Sequence, residues 1–252
     1  MNTSFNAGII LFILLYCNAA LAGGPLVIEG ADGNTAVSYQ DADVSDPDTD
    51  VSLDVENGDL GELITNAEAN EMVETALNLW NDVVTSKLQL SLNNSINFDI
   101  NFDNYNTYIP DNSNATAQDN DNLNPLIYDD DGSIIDAFFG LGNSDTILGF
   151  ATSSVFNGED YFEEGFVVIN GKNFGYTETQ YVLLFAHEIG HFFGLDHSQS
   201  DINNQESQFG LIGYCSSGSS RYPLMYPIAC RTAVDLHSDD ISAVSALYPD
   251  AN

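Results

Sequence analysis

His187-Glu188-Ile189-Gly190-His191-Phe192-Phe193-Gly194-Leu195-Asp196-His197 reads H-E-x-x-H-x-x-G-x-x-H. On an α-helix, residues four apart differ by about 40° of azimuth, so His187 and His191 project from one face toward one point. Two imidazoles there supply two nitrogen ligands for a tetrahedral zinc, and Glu188 stands beside the metal's open position. Gly194 can adopt the left-handed conformation that ends a helix, which turns the chain and brings His197 back as a third ligand. Three neutral nitrogens with one open site describe a catalytic zinc rather than a structural one. An isolated H-E-x-x-H arises by chance in helices whose histidines are merely packed or solvated. The chain has 4 histidines, however, and three of them fall within this motif at ligand spacing.

Downstream lies Arg221-Tyr222-Pro223-Leu224-Met225-Tyr226-Pro227. With the zinc motif before it, this stretch resembles the metzincin metallopeptidases, in which a methionine-containing turn follows the third histidine. Leu224-Met225-Tyr226-Pro227, with Ser198 directly after His197, is similar to the matrixin branch. Ala76-Leu77-Asn78-Leu79-Trp80-Asn81 is similar to the first helix of matrixin catalytic domains, and Leu236 to Tyr248 to their closing helix. The resemblance spans roughly residue 65 to the C-terminus. It implies an α/β (α+β) zincin-like fold: a twisted, mostly parallel sheet, an active-site helix behind it, and a small C-terminal subdomain ending in a helix.

The resemblance also implies roles. Met225 would lie beneath the metal as a packing floor. Gly149, Phe150 and Ala151 fall where matrixins place the edge strand that pairs with extended substrate through backbone groups. Tyr222 and Pro227 fall where the specificity pocket is walled. Tyr226 directly follows the methionine rather than standing two residues on, so the tyrosine ligand of astacin-like and serralysin-like relatives is not expected. The family's second, structural zinc uses several histidines and only His237 remains, so that site is expected to be missing. The matrixin latency device needs a cysteine in the pro-segment. None stands between the leader and the catalytic region, so that device is absent too.

Composition frames this reading. Asp and Glu number 38 against Lys87, Lys172, Arg221 and Arg231, giving a formal net charge of −34. Such a surface repels nucleic acid and anionic membranes, which are excluded as partners. Either solubility in a salty medium or calcium sites that neutralise carboxylate clusters would account for it. The apolar run Gly8 to Tyr16, followed by Ala20-Leu21-Ala22, reads as a signal peptide over residues 1–22, although no Lys or Arg precedes it. An exported, extracellular, monomeric protein acting on protein or peptide substrates is expected, with periplasmic transit as an alternative route. Removing the leader removes Cys17 and leaves Cys215 and Cys230 as a disulfide candidate in an oxidising compartment, the alternative being two unpaired thiols. Closing that loop stabilises by about 3 kcal/mol in the chain-entropy model.

Along the chain, residues 23–62 read as an acidic N-terminal extension with a short β-like piece at Ala36-Val37-Ser38-Tyr39, and residues 63–252 as the catalytic domain. Met72, Val73, Ala76, Leu77, Trp80, Val83 and Val84 recur at helical spacing between Ala67 and Ser86. Ile96 to Phe102 alternates apolar and polar and predicts a half-buried strand. Asp103 to Asn124 reads as an exposed insertion. Asp129, Asp131 and Ser133 place oxygen donors at alternate positions around Gly132, which is either part of a calcium loop or a plain acidic turn. Thr146 to Thr152 and Gly165 to Asn170 predict strands, and Thr177 with Gln180 predicts a capping box for the active-site helix. Zinc is the expected cofactor, with calcium an open second. Two other functions fit parts of the chain: a non-catalytic zinc- and calcium-binding extracellular module, and a calcium-dependent matrix protein.

Overall fold

The computed structural model describes residues 24–29, 35–40, 48–109, 123–154, 161–198 and 222–250. The signal-peptide reading, Cys17, Cys215, Arg221, the acidic run over 41–47 and most of the Asp103–Asn124 insertion lie outside them.

Four strands run parallel: β4 (Thr49–Val55), β5 (Leu88–Asn93), β6 (Pro125–Asp129) and β9 (Glu164–Asn170). With the antiparallel β7 (Gly149–Ser154) they form one sheet in the order β5-β4-β6-β9-β7. Both β6 and β9 are buried at every position, as expected for interior strands of a parallel sheet covered on both faces. Leu126, Tyr128, Val167 and Ile169 enter the main core, while Ile127, Phe166 and Val168 enter a second core on the other face. This is the period-2 alternation of a strand. Four further strands of two residues each lie outside this sheet: β1 (Ile28–Glu29), β2 (Thr35–Ala36), β3 (Ser38–Tyr39) and β8 (Tyr161–Phe162).

The main core lies under two helices. Helix α1 (Asn66–Asn81) starts at a Thr65–Glu68 capping box and turns Met72, Val73, Ala76, Leu77 and Trp80 inward. Helix α3 (Glu178–Phe192) starts at the predicted Thr177–Gln180 capping box. Trp80 Nε1 donates to Ala186 O at 3.0 Å, and its ring meets Phe193 edge-on, which ties the two helices together. Short helix α2 (Ser133–Phe139) lies on the second core, and α4 (Ser238–Leu247) closes the chain. The helix expected over 67–86 ends at Asn81, and the closing helix falls within the segment expected to form it.

One predicted strand is not there. Ile96 to Phe102 is irregular backbone. Ile96 and Ile100 are buried while Phe98 and Phe102 point outward, so burial there repeats every four residues rather than every two. The Ile100 N–H donates to the Glu56 carboxylate rather than to a neighbouring strand. A side chain has taken the bond that a sheet ladder would have supplied. The sheet instead recruits β4, β5 and β6. Of these, β4 comes from the acidic N-terminal stretch: Val51, Leu53 and Val55 face the core, and the buried Asp54 accepts from Asn124 N at 2.9 Å.

Candidate metal centre

The last turn of α3 determines where the ligands go. Gly194 has φ +110°, Gly194 N donates to His191 O at 3.0 Å, and Leu195 N donates to Gly190 O at 2.9 Å. This 5→2 and 6→1 pair is a Schellman stop with glycine at the left-handed position. A Cβ at Gly194 would also lie 2.8 Å from the Phe162 ring, so glycine is required there twice over. The turn sends Asp196 and His197 back toward the helix.

His187, His191 and His197 therefore converge, with ligating nitrogens within 4.8 Å of one another. His191 Nε2 and His197 Nε2 are 3.1 Å apart. Two rings are held from behind: His187 Nδ1 donates to Leu224 O and His191 Nδ1 to Leu195 O, each at 2.7 Å. With Nδ1 carrying the proton, both Nε2 lone pairs point inward, which is the tautomer a metal requires. Burial, reinforced by the neighbouring imidazoles, holds His191 well below the usual histidine range, and burial followed by His187 takes His197 down to about 3. Burial also lowers His187. All three are neutral near pH 7. A buried, convergent set of neutral nitrogens with inward lone pairs fits zinc. Among the described residues no other group of three is arranged for a metal ion.

Glu188 sits beside them, buried, with its carboxyl pushed up to about 8 by burial. It lies against the edge strand: a Cβ on Gly149 would stand 3.0 Å from Glu188 Cγ and 2.9 Å from Val168 O. Glycine at 149 thus lets β7 approach the carboxylate. Phe150 turns to the opposite face, where it packs on Phe138, Phe139 and Phe166, while Ala151 lies on the main-core side. Only the backbone of Phe150 is therefore available on the helix side of β7.

Met225 is wholly buried beneath α3, against Gly190. Its turn is held by Asp240, a residue to which the motif reading gave no role. That buried carboxylate accepts from Leu224 N at 2.8 Å, Met225 N at 3.0 Å and His237 N at 2.9 Å. Ser198 N donates to Met225 O at 2.7 Å and Ser198 Oγ donates to Asp239, which binds the third-ligand loop to the same turn. Tyr222 is buried, with its ring 5.0 Å from that of Tyr226 and its carbonyl accepting from Arg231. Pro227 is exposed. His237 is the N-cap of α4, its Nδ1 accepting from Asp239 N at 3.2 Å.

Asp129 and Asp131 form a separate turn. Asp129 accepts from Ile134 N and Ile135 N at 3.0 and 2.9 Å, and Asp131 accepts from Ser133 N at 2.8 Å. The positive charge near this turn belongs to Lys172, whose Nζ donates to Ser144 Oγ at 2.6 Å and pairs with Asp145 at 2.9 Å.

Residues 66–198, just over half of the chain, match a family model described as Metallo-peptidase family M12B Reprolysin-like. The match runs from the start of α1 through all three histidines and stops before the methionine turn. No curated protein matches the chain.

Proposed function

Because the chain belongs to the M12B reprolysin-like metallopeptidase family, we propose that it is a secreted zinc endopeptidase with Glu188 as its general base and acid. The observation that carries this reading is the convergence of three neutral imidazoles beside one buried carboxylate. His187, His191 and His197 hold the metal through their Nε2 atoms. When bound, zinc polarises a scissile carbonyl and lowers the pKa of water at its open position. Glu188 takes the proton of the attacking water and returns it to the amine nitrogen as the C–N bond breaks. An extended peptide lies along β7, held by backbone N–H and C=O groups, with Gly149 and Ala151 on the side facing α3. Tyr222 and Pro227 shape the pocket beyond Met225.

Within the metzincins we place the chain nearest the matrixin pattern, on Leu224-Met225-Tyr226-Pro227 and Ser198. Export follows from the leader over 1–22, and the acidic stretch to residue 62 supplies β4 to the sheet of the catalytic region. Cys215 pairs with Cys230, a pairing that the disulfide-bonded state of Cys230 supports. The turn at Asp129 works without calcium in this reading. Its carboxylates cap the first turn of α2, and Lys172 supplies the nearby positive charge.

Casein or gelatin cleavage by the purified protein, with and without a zinc chelator, tests the proposal. Cleavage abolished by the chelator and restored by zinc is expected. Chelator-insensitive cleavage, or retained zinc with no turnover, would refute it; the second outcome would describe a non-catalytic metal module.

A further inference from the structure

The third ligand rides on a loop, and a mobile loop must be ordered each time a metal is bound. Gly194 to Asp196 is that loop, and it is paired on its outer side. Leu26 N donates to Gly194 O at 2.7 Å, Asp196 N donates to Gly24 O at 2.9 Å, and Pro25 stands opposite Leu195 in an antiparallel bridge. Between these two bonds, Leu195 O accepts from His191 Nδ1. Three consecutive residues thus take both bonds from the N-terminal segment, orient the second ligand and lead directly into His197.

The segment is itself anchored. Val37 N donates to Val27 O at 3.0 Å, Tyr39 N donates to Tyr248 Oη at 3.0 Å, and Tyr248 Oη donates to Phe193 O at 2.7 Å. Beyond Val27, the chain is therefore fastened to the closing helix at the same end of α3 that it straps.

We infer that Gly24 to Val27 is a positioning strap for the metal centre, fixing Gly194–Asp196 so that His191 and His197 are ordered before metal arrives. The inference rests on the zinc reading. Groups that hold a ligand from behind typically change metal affinity by about ten- to a hundredfold when removed. Coupling is reciprocal, so zinc must strengthen the strap by the factor with which the strap strengthens zinc.

The test uses the full chain. Leu26→Pro removes the donor to Gly194 O, whereas Leu26→Ala trims the side chain and keeps the N–H. Zinc affinity, measured by competition with a chromogenic chelator, is expected to fall about tenfold in Leu26→Pro and to hold in Leu26→Ala. A merely structural role would lower thermal stability without separating the two variants in zinc affinity. Amide exchange in the parent supplies a second readout that needs no variant: zinc loading should slow exchange at Leu26 and Asp196 by a similar factor. Equal zinc affinity in both variants, or exchange at Leu26 and Asp196 indifferent to zinc, overturns the strap. If Leu26→Pro fails to fold, the exchange result decides alone. A parent that binds no zinc refutes the metal reading itself, and is told apart because the failure is then not confined to the variant.

Discussion

Gly190 and Met225 occupy one space: a Cβ on Gly190 would fall on the Met225 sulfur, 3.0 Å from its terminal methyl and 3.2 Å from the Trp80 ring. The methionine floor therefore meets the helix backbone one residue before His191, and the second ligand's height above the turn is set there. Two effects oppose each other in Gly190→Ala. Helix propensity favours alanine by about 1 kcal/mol, while overpacking a closed core costs about 1–3 kcal/mol. Met225 is fully buried, so its thioether can shift only by displacing packed neighbours, and the clash is expected to outweigh the propensity gain. A lower Tm and weaker zinc retention are expected. Met225→Ala in the same chain should cost less than the sum of the two single changes, a coupling that a double-mutant cycle would read. Strict additivity would show that the two residues do not set the height of the site.

Glu188→Gln separates binding from turnover. The imidazoles are untouched, so one zinc per chain should remain, while kcat/KM falls by about 10²- to 10⁴-fold, the range for a positioned acid–base group. Burial pushes this carboxyl up to about 8 when no cation stands beside it. A neighbouring zinc favours the ionised form. The acidic limb of the kcat/KM profile is accordingly expected below pH 8. Full activity in Glu188→Gln, or an acidic limb above that value, would remove Glu188 as the base.

How much of this was legible in the sequence depends on where the information is stored. The ligand triad, the left-handed Gly194 and the Thr177 cap are local patterns, each contained within a few residues, and each stands where the spacing puts it. The supports are not local. Asp240 lies 15 residues beyond Met225, and Leu26 far from Gly194; nothing in a window of sequence marks a carboxylate or an N–H as a partner of either. Ile96 to Phe102 misled because alternation does not distinguish a strand from a loop in which the two isoleucines alone are buried. Strand β4 was hidden for the opposite reason. Val51, Leu53 and Val55 do alternate with Asp50, Ser52 and Asp54, but so aspartate-rich a stretch reads as solvated, yet Asp54 is itself buried and bonded to Asn124.

Lys172 offers a test of the acidic turn. Its ammonium bonds Ser144 and Asp145, and Asp136 and Asp129 lie close enough to raise its pKa further, after the Asp145 bond that contributes most. In a chain with 4 basic residues, one of them stands where calcium was an open expectation. Lys172→Met leaves those carboxylates facing one another without a cation. The variant should unfold at lower temperature, and added calcium should restore part of the loss, whereas calcium should leave the parent's Tm unchanged. A parent whose Tm rises with micromolar calcium would reinstate a calcium site at Asp129.

Glu56 makes stability depend on pH in the direction opposite to a salt-bridged carboxylate. It is fully buried, and although Ile100 N and Tyr128 N donate to it, burial outweighs those bonds and lifts its pKa from 4.5 to about 8, with Asp99 adding to the rise. The folded state therefore holds a proton that the unfolded chain releases. A raised pKa contributes stability that is complete below the unfolded value of 4.5 and is lost as pH rises through about 8. Glu56→Gln cannot titrate and turns one acceptor away from a backbone donor, at a cost of about 1–3 kcal/mol. Urea unfolding of parent and variant at matched ionic strength should show the parent's advantage largest below the unfolded value of 4.5 and shrinking steadily toward about 8. Because other titrating groups are common to both chains, the difference isolates this one. An advantage that grows with pH would mean that Glu56 is ionised throughout, held down by its two backbone donors rather than lifted by burial.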